Sequence, residues 1–339
     1  MKEFLKRKNI IFSAKRYGID ALSAMAQGLF ASLLIGTIIS TLGEQFGIDI
    51  LVTVGTYAKG ATGAAMAISI GYALQCPPLV LFSLAAVGMA ANELGGAGGP
   101  LAVLVVSKET KIDIIVTPFT TITVGVLLSL WWAPAIGYAA SSVGSAIMWA
   151  TELQPFFMGI VVSVIVGIAL TLPISSAAIC AALSLTGLAG GAAVAGCCAQ
   201  MVGFAVMSFR ENKWGGLFAQ GIGTSMLQMG NIVKNPKIWL PPTLASAITG
   251  PLATCLFHME MNGAAVASGM GTCGFVGQIG VYTGWVNDVA SGVKAAITPM
   301  DWIGMVLICF ILPAVLTWLI AVPFRKYGWI KENDLKLDL

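Results

Sequence analysis

Five long stretches of this chain contain no charged residue, and they constrain the fold more than any other feature. They cover residues 60–92, 114–151, 153–209, 238–259 and 302–324. A helix crosses a bilayer with about 20 mostly apolar residues, so several of these stretches have room for one or two crossings. Only 10% of the residues are charged, against roughly 25% in an ordinary soluble domain. The sequence therefore predicts an all-α integral membrane protein with many crossings.

Hydropathy also predicts where the membrane helices lie. The apolar segments cover residues 21–42, 51–75, 77–91, 112–132, 155–173, 176–207, 240–258 and 302–324. The segment 176–207 accommodates one long helix or two short ones, and 134–154 resembles an interfacial helix or a broken span. We expect about 8–10 transmembrane helices in total.

The distribution of basic residues predicts the orientation. Six Lys and Arg side chains lie among residues 2–16, before the first span, and four more follow the last span. Cytoplasmic loops carry an excess of such residues, so both termini are expected in the cytoplasm, around an even number of crossings. The N-terminal segment lacks the cleavage pattern of a secretory signal.

Three segments are too rich in glycine to be simple spans: 92–100, 213–236 and 262–284. Non-helical backbone at membrane depth is tolerated only where it is buried in protein or lines a cavity. The last two segments also carry amide side chains, which favours re-entrant hairpins there. Close packing of small residues between helices is the alternative, and for 92–100 the two readings stay open.

The lone histidine, His258, lies two residues from Glu260 in a stretch, 238–287, that holds no other charged residue. Ionisable groups in so apolar a segment are expensive unless they have a use. A carboxylate, an imidazole and amides suit the hydroxyl groups of a neutral sugar-like solute. The candidate substrate-binding residues are His258, Glu260, Asn262, Asn231, Gln228 and Gln278.

Two other interpretations of His258 and Glu260 stay open. They could form a proton-relay pair in a proton-coupled carrier, or lie solvated at a membrane surface. No catalytic motif and no cofactor motif is present in the sequence. The seven cysteines form no CxxC pair and a single histidine completes no zinc set, so neither a metal nor a cofactor is expected.

The run NPKIWLPPTLASAITGPLATCLFHMEMNGAAVASGMGTCGFVGQIG, residues 235–280, resembles EIIC, the membrane subunit of the phosphoenolpyruvate-dependent sugar phosphotransferase system (PTS). The elements NPK, PPxxAS, ITGPL and GMGTxGxVGQ carry this resemblance, which covers roughly residues 15–325. Within the family they resemble most the branch that includes clostridial PfoR proteins, named as toxin regulators. The GITE-like motif of glucose-type members is absent, so Glu260 matches the chemical need and not the motif.

The resemblance implies a homodimer with an interface domain at 1–175, a substrate domain with two hairpins at 176–325 and a cytoplasmic tail at 326–339. It implies elevator-type transport of a sugar across the plasma membrane of a bacterium. Phosphoryl transfer would come from separate EIIA and EIIB proteins, and the chain would have no self-contained catalytic site. The alternatives are a membrane sensor that retains an EIIC-like binding site and a proton-coupled carrier. The expected partners are therefore a small polar solute, the phosphotransfer proteins, lipid and a second copy of the chain, without nucleic acid.

Overall fold

The computed structural model describes residues 20–95, 113–151, 153–172 and 175–337, and these residues are almost entirely helical. The one β-type pairing in these ranges is an isolated bridge between Gly187 and Met261. Among the described helices, three are long and apolar enough to cross a bilayer, namely Ala24–Glu44, Gly187–Met207 and Pro299–Lys326. The prediction of an all-α membrane protein is confirmed.

The chain divides into two compact units between Ala139 and Ala140. The boundary predicted from the sequence lies later, between residues 175 and 176, and the functional roles assigned to the two parts stay predictions. Most of the glycine-rich segment 92–100 lies outside the described residues, so the choice between a hairpin and helix packing there also stays open.

Within the described residues 20–95, the first unit has five helices. They are α1 (Ala21–Leu29), α2 (Ile35–Phe46), α3 (Asp49–Gly60), α4 (Thr62–Ala73) and α5 (Pro78–Gly95). A π-helical turn, Phe30–Leu34, joins α1 to α2. Helix α3 packs along α2 and α4 packs along α1, so the predicted span 51–75 is present as two helices that meet at Ala61.

Helix α6 (Asp113–Thr151) is a single helix of 39 residues that passes from the first unit into the second. It contains Pro118 and Pro134 in its interior. The sequence predicted a span that ends at 132, followed by an interfacial or broken segment, and the structure instead continues the helix through both. Proline is tolerated within membrane helices because neighbouring groups satisfy the freed backbone.

Nine further helices of the second unit lie within the described residues. They are α7 (Pro155–Thr171), α8 (Ser176–Ala182), α9 (Gly187–Met207), α10 (Phe209–Phe218), α11 (Met229–Lys234), α12 (Leu240–Pro251), α13 (Val276–Ala290), α14 (Pro299–Val306) and α15 (Leu312–Lys326). Helix α9 is almost completely buried and packs on α7, α12 and α15. Its small residues permit this: Gly196 lies directly against the backbone carbonyl of Ser163.

A buried amide joins three of these helices. Gln200 of α9 donates through Nε2 to Thr243 Oγ1 (3.1 Å), and its Oε1 accepts from the Trp239 indole N–H (3.0 Å). The Thr171 hydroxyl, at the end of α7, lies 3.4 Å from the same Oε1. In an apolar interior each of these polar groups needs its partner, so Gln200 fixes α7, α9 and the start of α12 relative to one another.

Residues Phe209–Asn235 form the first hairpin. It starts at one end of the second unit, reverses direction and returns to the same end. The outgoing limb is α10, which is broken at Lys213 (φ 51°), followed by a π-helical turn at Ala219–Gly223. The returning limb is the 3₁₀ turn Ser225–Gln228 and α11. The tip reaches the end of α7, where the Ser225 and Thr171 hydroxyls are hydrogen-bonded at 2.8 Å.

Residues Met261–Ala290, the second hairpin, start from the other end, beside the beginning of α9. The inward limb holds the 3₁₀ turn Ala265–Gly269, and the outward limb is α13. Gly271, in the left-handed region at φ +54°, lies at the tip. A Cβ there would stand 2.6 Å from the Cβ of Cys197, which lies in the middle of α9.

The two hairpins therefore enter from opposite ends and meet. The turn Ala219–Gly223 of the first contacts the turn Cys273–Phe275 of the second. The segments 213–236 and 262–284 thus have the hairpin form that their glycines and amides predicted. Their broken backbone is buried among α9 and its neighbours, as non-helical backbone at membrane depth must be.

Candidate functional site

The loop that carries His258 and Glu260 is held against the start of α9. Gly187 and Met261 exchange backbone hydrogen bonds of 3.1 and 3.0 Å. One turn further along α9, Gly191 packs directly on the carbonyl oxygen of Met259, where any side chain would collide with the loop. Main-chain pairing and one glycine therefore fix where the loop lies.

Asn262 brings two carboxylates together at the open end of the second hairpin. Its Nδ2 donates to Glu260 Oε2 and to Asp288 Oδ2, each at 2.9 Å, and its Oδ1 accepts from the backbone N–H of Gly187 at 3.1 Å. Within the described residues, neither carboxylate is paired with a Lys or Arg side chain. The start of α9 beside them favours negative charge, because the N-terminus of a helix carries a partial positive charge.

His258 lies at a pocket of about 330 Å³ next to this group. The other walls of the pocket are Gln154, Pro155, Phe156, Leu188, Thr254 and Cys255. The histidine is exposed and its backbone is left-handed, with φ 44°. No hydrogen bond between His258 and Glu260 is present, so the structure gives the proton-relay pair no direct contact.

Gln278, on the outward limb of the second hairpin, is only 7% exposed. Its Nε2 donates to Cys198 Sγ at 3.3 Å, and its Oε1 has no partner within the described residues. A buried amide oxygen without a donor is costly, so this position is one where a donor group would be stabilised.

Gln228 and Asn231 lie elsewhere, on the returning limb of the first hairpin. Asn231 Nδ2 donates to Gln228 Oε1 and to the Lys336 carbonyl, at 2.9 and 2.8 Å. Gln228 Nε2 donates to Gln220 Oε1 and to the Leu335 carbonyl, at 2.9 and 3.0 Å. Both amides are thus engaged with the C-terminal segment of the chain itself.

The six candidate residues therefore fall into three places. His258, Glu260 and Asn262 share one loop, Gln278 lies deeper on the second hairpin, and the remaining two lie on the first hairpin. Sequence reasoning missed Asp288. The signal was present, because Asp288 is the charge that ends the otherwise uncharged stretch after Glu260.

Comparison with known protein families matches residues 19–337 to the family model described as "Phosphotransferase system, EIIC". The chain belongs to the EIIC family. It is thus a membrane component of phosphotransferase-system sugar transport. Searches of curated proteins and of solved structures returned no match. The narrower resemblance to the PfoR-type branch stays a prediction.

Glu260 and Asp288, the acidic group that Asn262 holds together, have a chemistry that fits an EIIC protein. Carboxylates accept hydrogen bonds and donate none when ionised, so Glu260 and Asp288 together offer several free acceptor positions. A sugar presents many hydroxyl donors. Among the described residues no group of His, Cys, Asp and Glu is arranged to hold a metal ion.

Proposed function

We propose that this EIIC protein is a sugar permease that works with separate phosphotransfer proteins. The solute enters through the membrane domain, and an EIIB protein on the cytoplasmic side transfers a phosphoryl group to it. The sequence contains no phosphate-binding motif, so in this proposal the phosphoryl donor is external. Both termini lie in the cytoplasm of a bacterium in this proposal.

The observation that carries the proposal is the pair of carboxylates joined by Asn262. Two carboxylates on one amide, without a cationic partner among the described side chains, are short of hydrogen-bond donors. Solute hydroxyls supply such donors, and charge-assisted hydrogen bonds are about twice as strong as neutral ones. We assign solute binding to Glu260, Asp288 and Asn262, with His258 at the neighbouring pocket.

The amides complete the proposed site in different ways. Gln278 has a free buried oxygen that a solute hydroxyl reaches once the tip of the second hairpin moves. Gln228 and Asn231 meet a solute only after the C-terminal segment releases them. Movement of the substrate-binding unit as an elevator, against a dimeric scaffold, is part of the proposal and is supported by the two opposed hairpins.

Uptake by membrane vesicles tests the proposed function. Right-side-out vesicles are loaded with phosphoenolpyruvate and the soluble phosphotransfer proteins, and a solute that the protein binds is supplied outside. The expected product inside is the sugar phosphate. Matched vesicles without phosphoenolpyruvate should accumulate none.

Two other outcomes would replace the proposal. Accumulation of unmodified solute under a pH gradient, without the soluble proteins, would identify a proton-coupled carrier. Binding of the solute without uptake of either kind would identify a membrane sensor.

A further inference from the structure

The C-terminal tail, residues 327–337, folds back onto the first hairpin. Two of its apolar side chains are buried there, with Ile330 2% and Leu335 0% exposed. The residues between them, Lys331, Glu332 and Asn333, are exposed. The tail is thus anchored at two points, with a solvent-facing turn between them.

The main-chain carbonyl of Leu335 bridges the two limbs of the hairpin. It accepts from Asn212 Nδ2 of the outgoing limb at 2.7 Å and from Gln228 Nε2 of the returning limb at 3.0 Å. One peptide carbonyl therefore holds together two segments that are separated by the whole length of the hairpin.

The next two residues are held in the same way. The Lys336 carbonyl accepts from Asn231 Nδ2 at 2.8 Å, and the Leu337 N–H donates to Asn212 Oδ1 at 2.8 Å. Asn212 thus uses both ends of its amide on the tail. All of these contacts are to the main chain, so they recognise a peptide and not a particular polar side chain.

A second anchor lies at the beginning of the tail. Asn235 Nδ2 donates to the Trp329 carbonyl and to Asp334 Oδ2, both at 2.8 Å. The Lys237 ammonium lies 5.2 Å from the centre of the Trp329 ring, over its face. Cation–π contact adds to the hydrogen bonds at this point.

Hydrogen bonds within the first hairpin orient the amides that contact the tail. Gln220 Nε2 donates to Ser208 Oγ at 2.8 Å and to the Gly216 carbonyl at 3.0 Å, which leaves its oxygen for Gln228. Gln228 in turn accepts from Asn231. The donors that face the tail are therefore set by a chain of hydrogen bonds within the hairpin.

We infer that Asn212, Gln228, Asn231 and Asn235 form a peptide-binding cleft, the amide cleft, and that the tail is its resident ligand. The ligand class is a peptide main chain with one buried leucine as its anchor. When the tail is bound in the amide cleft, it holds the two limbs of the first hairpin together. When the tail is released, the limbs are free to separate. This goes beyond the proposed transport function, because the ligand is a peptide and not a solute. The cleft shares only Gln228 and Asn231 with the proposed solute site and lies apart from Glu260 and Asp288 at the second hairpin.

Hydrogen exchange in the full-length protein tests whether the amide cleft holds the tail. Backbone amides of residues 329–337 should be protected, and Asn212→Ala should raise their exchange about tenfold, since it removes two hydrogen bonds. The matched control is Asn287→Ala, an exposed amide on α13. Exchange within α9 should be unchanged in both variants, which separates tail release from global unfolding.

A labelled peptide tests whether the tail is a ligand or a fixed part of the fold. The tethered tail has a high effective concentration, so its anchor must first be disabled in the intact chain by Leu335→Asp. A fluorescent peptide of residues 327–339 should then bind saturably, and addition of Asn231→Ala and Gln228→Ala should abolish the binding. The same peptide with Leu335→Asp should fail to bind.

Three results would overturn the inference. They are an unprotected tail in the wild-type protein, tail exchange that Asn212→Ala leaves unchanged, and a folded Leu335→Asp chain that does not bind the peptide. If Leu335→Asp fails to fold, the exchange measurements on Asn212→Ala decide the question alone. These measurements follow tail exchange and peptide binding and not sugar uptake, so failure of this inference is distinguishable from failure of the proposed function.

Discussion

Two carboxylates that share one amide donor are the residues on which the proposed function depends. Glu260 and Asp288 come within hydrogen-bond distance of the same nitrogen although 28 positions separate them in the chain. Like charges this close repel each other, and within the described residues no Lys or Arg compensates them. A ligand that donates hydrogen bonds to both carboxylates would therefore offset this repulsion.

Glu260→Gln and Asp288→Asn should each weaken solute binding. Hydrogen bonds to charged groups contribute about 1.5–3 kcal/mol, so Kd should rise by about one to two decades. A thermal-shift screen of sugars and nucleosides first identifies a solute, and calorimetry then gives Kd for each variant. Glu332→Gln, an exposed change in the tail, is the control. Wild-type Kd in both carboxylate variants would refute the assignment.

For individual site residues, the sequence revealed only those groups that lie close together along the chain. His258 and Glu260 stood out because ionisable residues are rare in apolar stretches. Asp288 reaches Asn262 only because the second hairpin reverses, and no local pattern states that pairing. The tail carbonyls that accept hydrogen bonds from Gln228 and Asn231 are more than a hundred positions away, so this engagement could not be predicted at all.

At the level of helices and hairpins, hydropathy predicted the features that depend on contact with lipid. The apolar spans and both hairpins follow from composition, glycine spacing and the amides. The break at Ala61 and the continuity of α6 through Pro134 do not, because packing against neighbouring helices decides whether a weak point becomes a break. The predicted division into an interface domain and a substrate domain after residue 175 stays a prediction.

Gly191→Ala should destabilise the protein and disturb the proposed solute site together. The new methyl group would collide with the Met259 carbonyl, so the loop that carries His258 and Glu260 must shift. Overpacking of this kind costs about 1–3 kcal/mol. A lower melting temperature with a raised Kd is expected. Gly60→Ala is the matched control, because a Cβ there meets nothing within 4 Å. Equal melting temperatures for the two variants would contradict the close contact between α9 and the loop.

For the whole molecule, the proposed homodimer requires an interface in the first part of the chain. Helix α6 exposes the large aromatic residues Trp131, Trp132, Tyr138 and Trp149, which suit either a lipid interface or a partner. Close packing, rather than a hydrophobic driving force, holds helices together in lipid.

Mass measurement decides between these two roles of α6. Native mass spectrometry from mild detergent and from nanodiscs should give two chains of 35.1 kDa in each particle. Single chains under both conditions would exclude the dimer.

The two hairpins are held in place by bonds of unequal strength. The tip of the first is tied to α7 by a hydroxyl pair, and its limbs are joined by amides. At the tip of the second, Thr272 and Gln278 reach only sulfur atoms, at 3.6 Å from Met201 and 3.3 Å from Cys198. Sulfur is a weak acceptor. The limb behind this tip is held more firmly, because Ser176 Oγ donates to the Gly269 carbonyl at 2.8 Å and Ser268 Oγ donates to the Leu185 carbonyl at 2.6 Å. A solute that passes between the hairpins would therefore displace only the few residues around Thr272, while the limb behind them keeps its place and limits how wide the passage becomes.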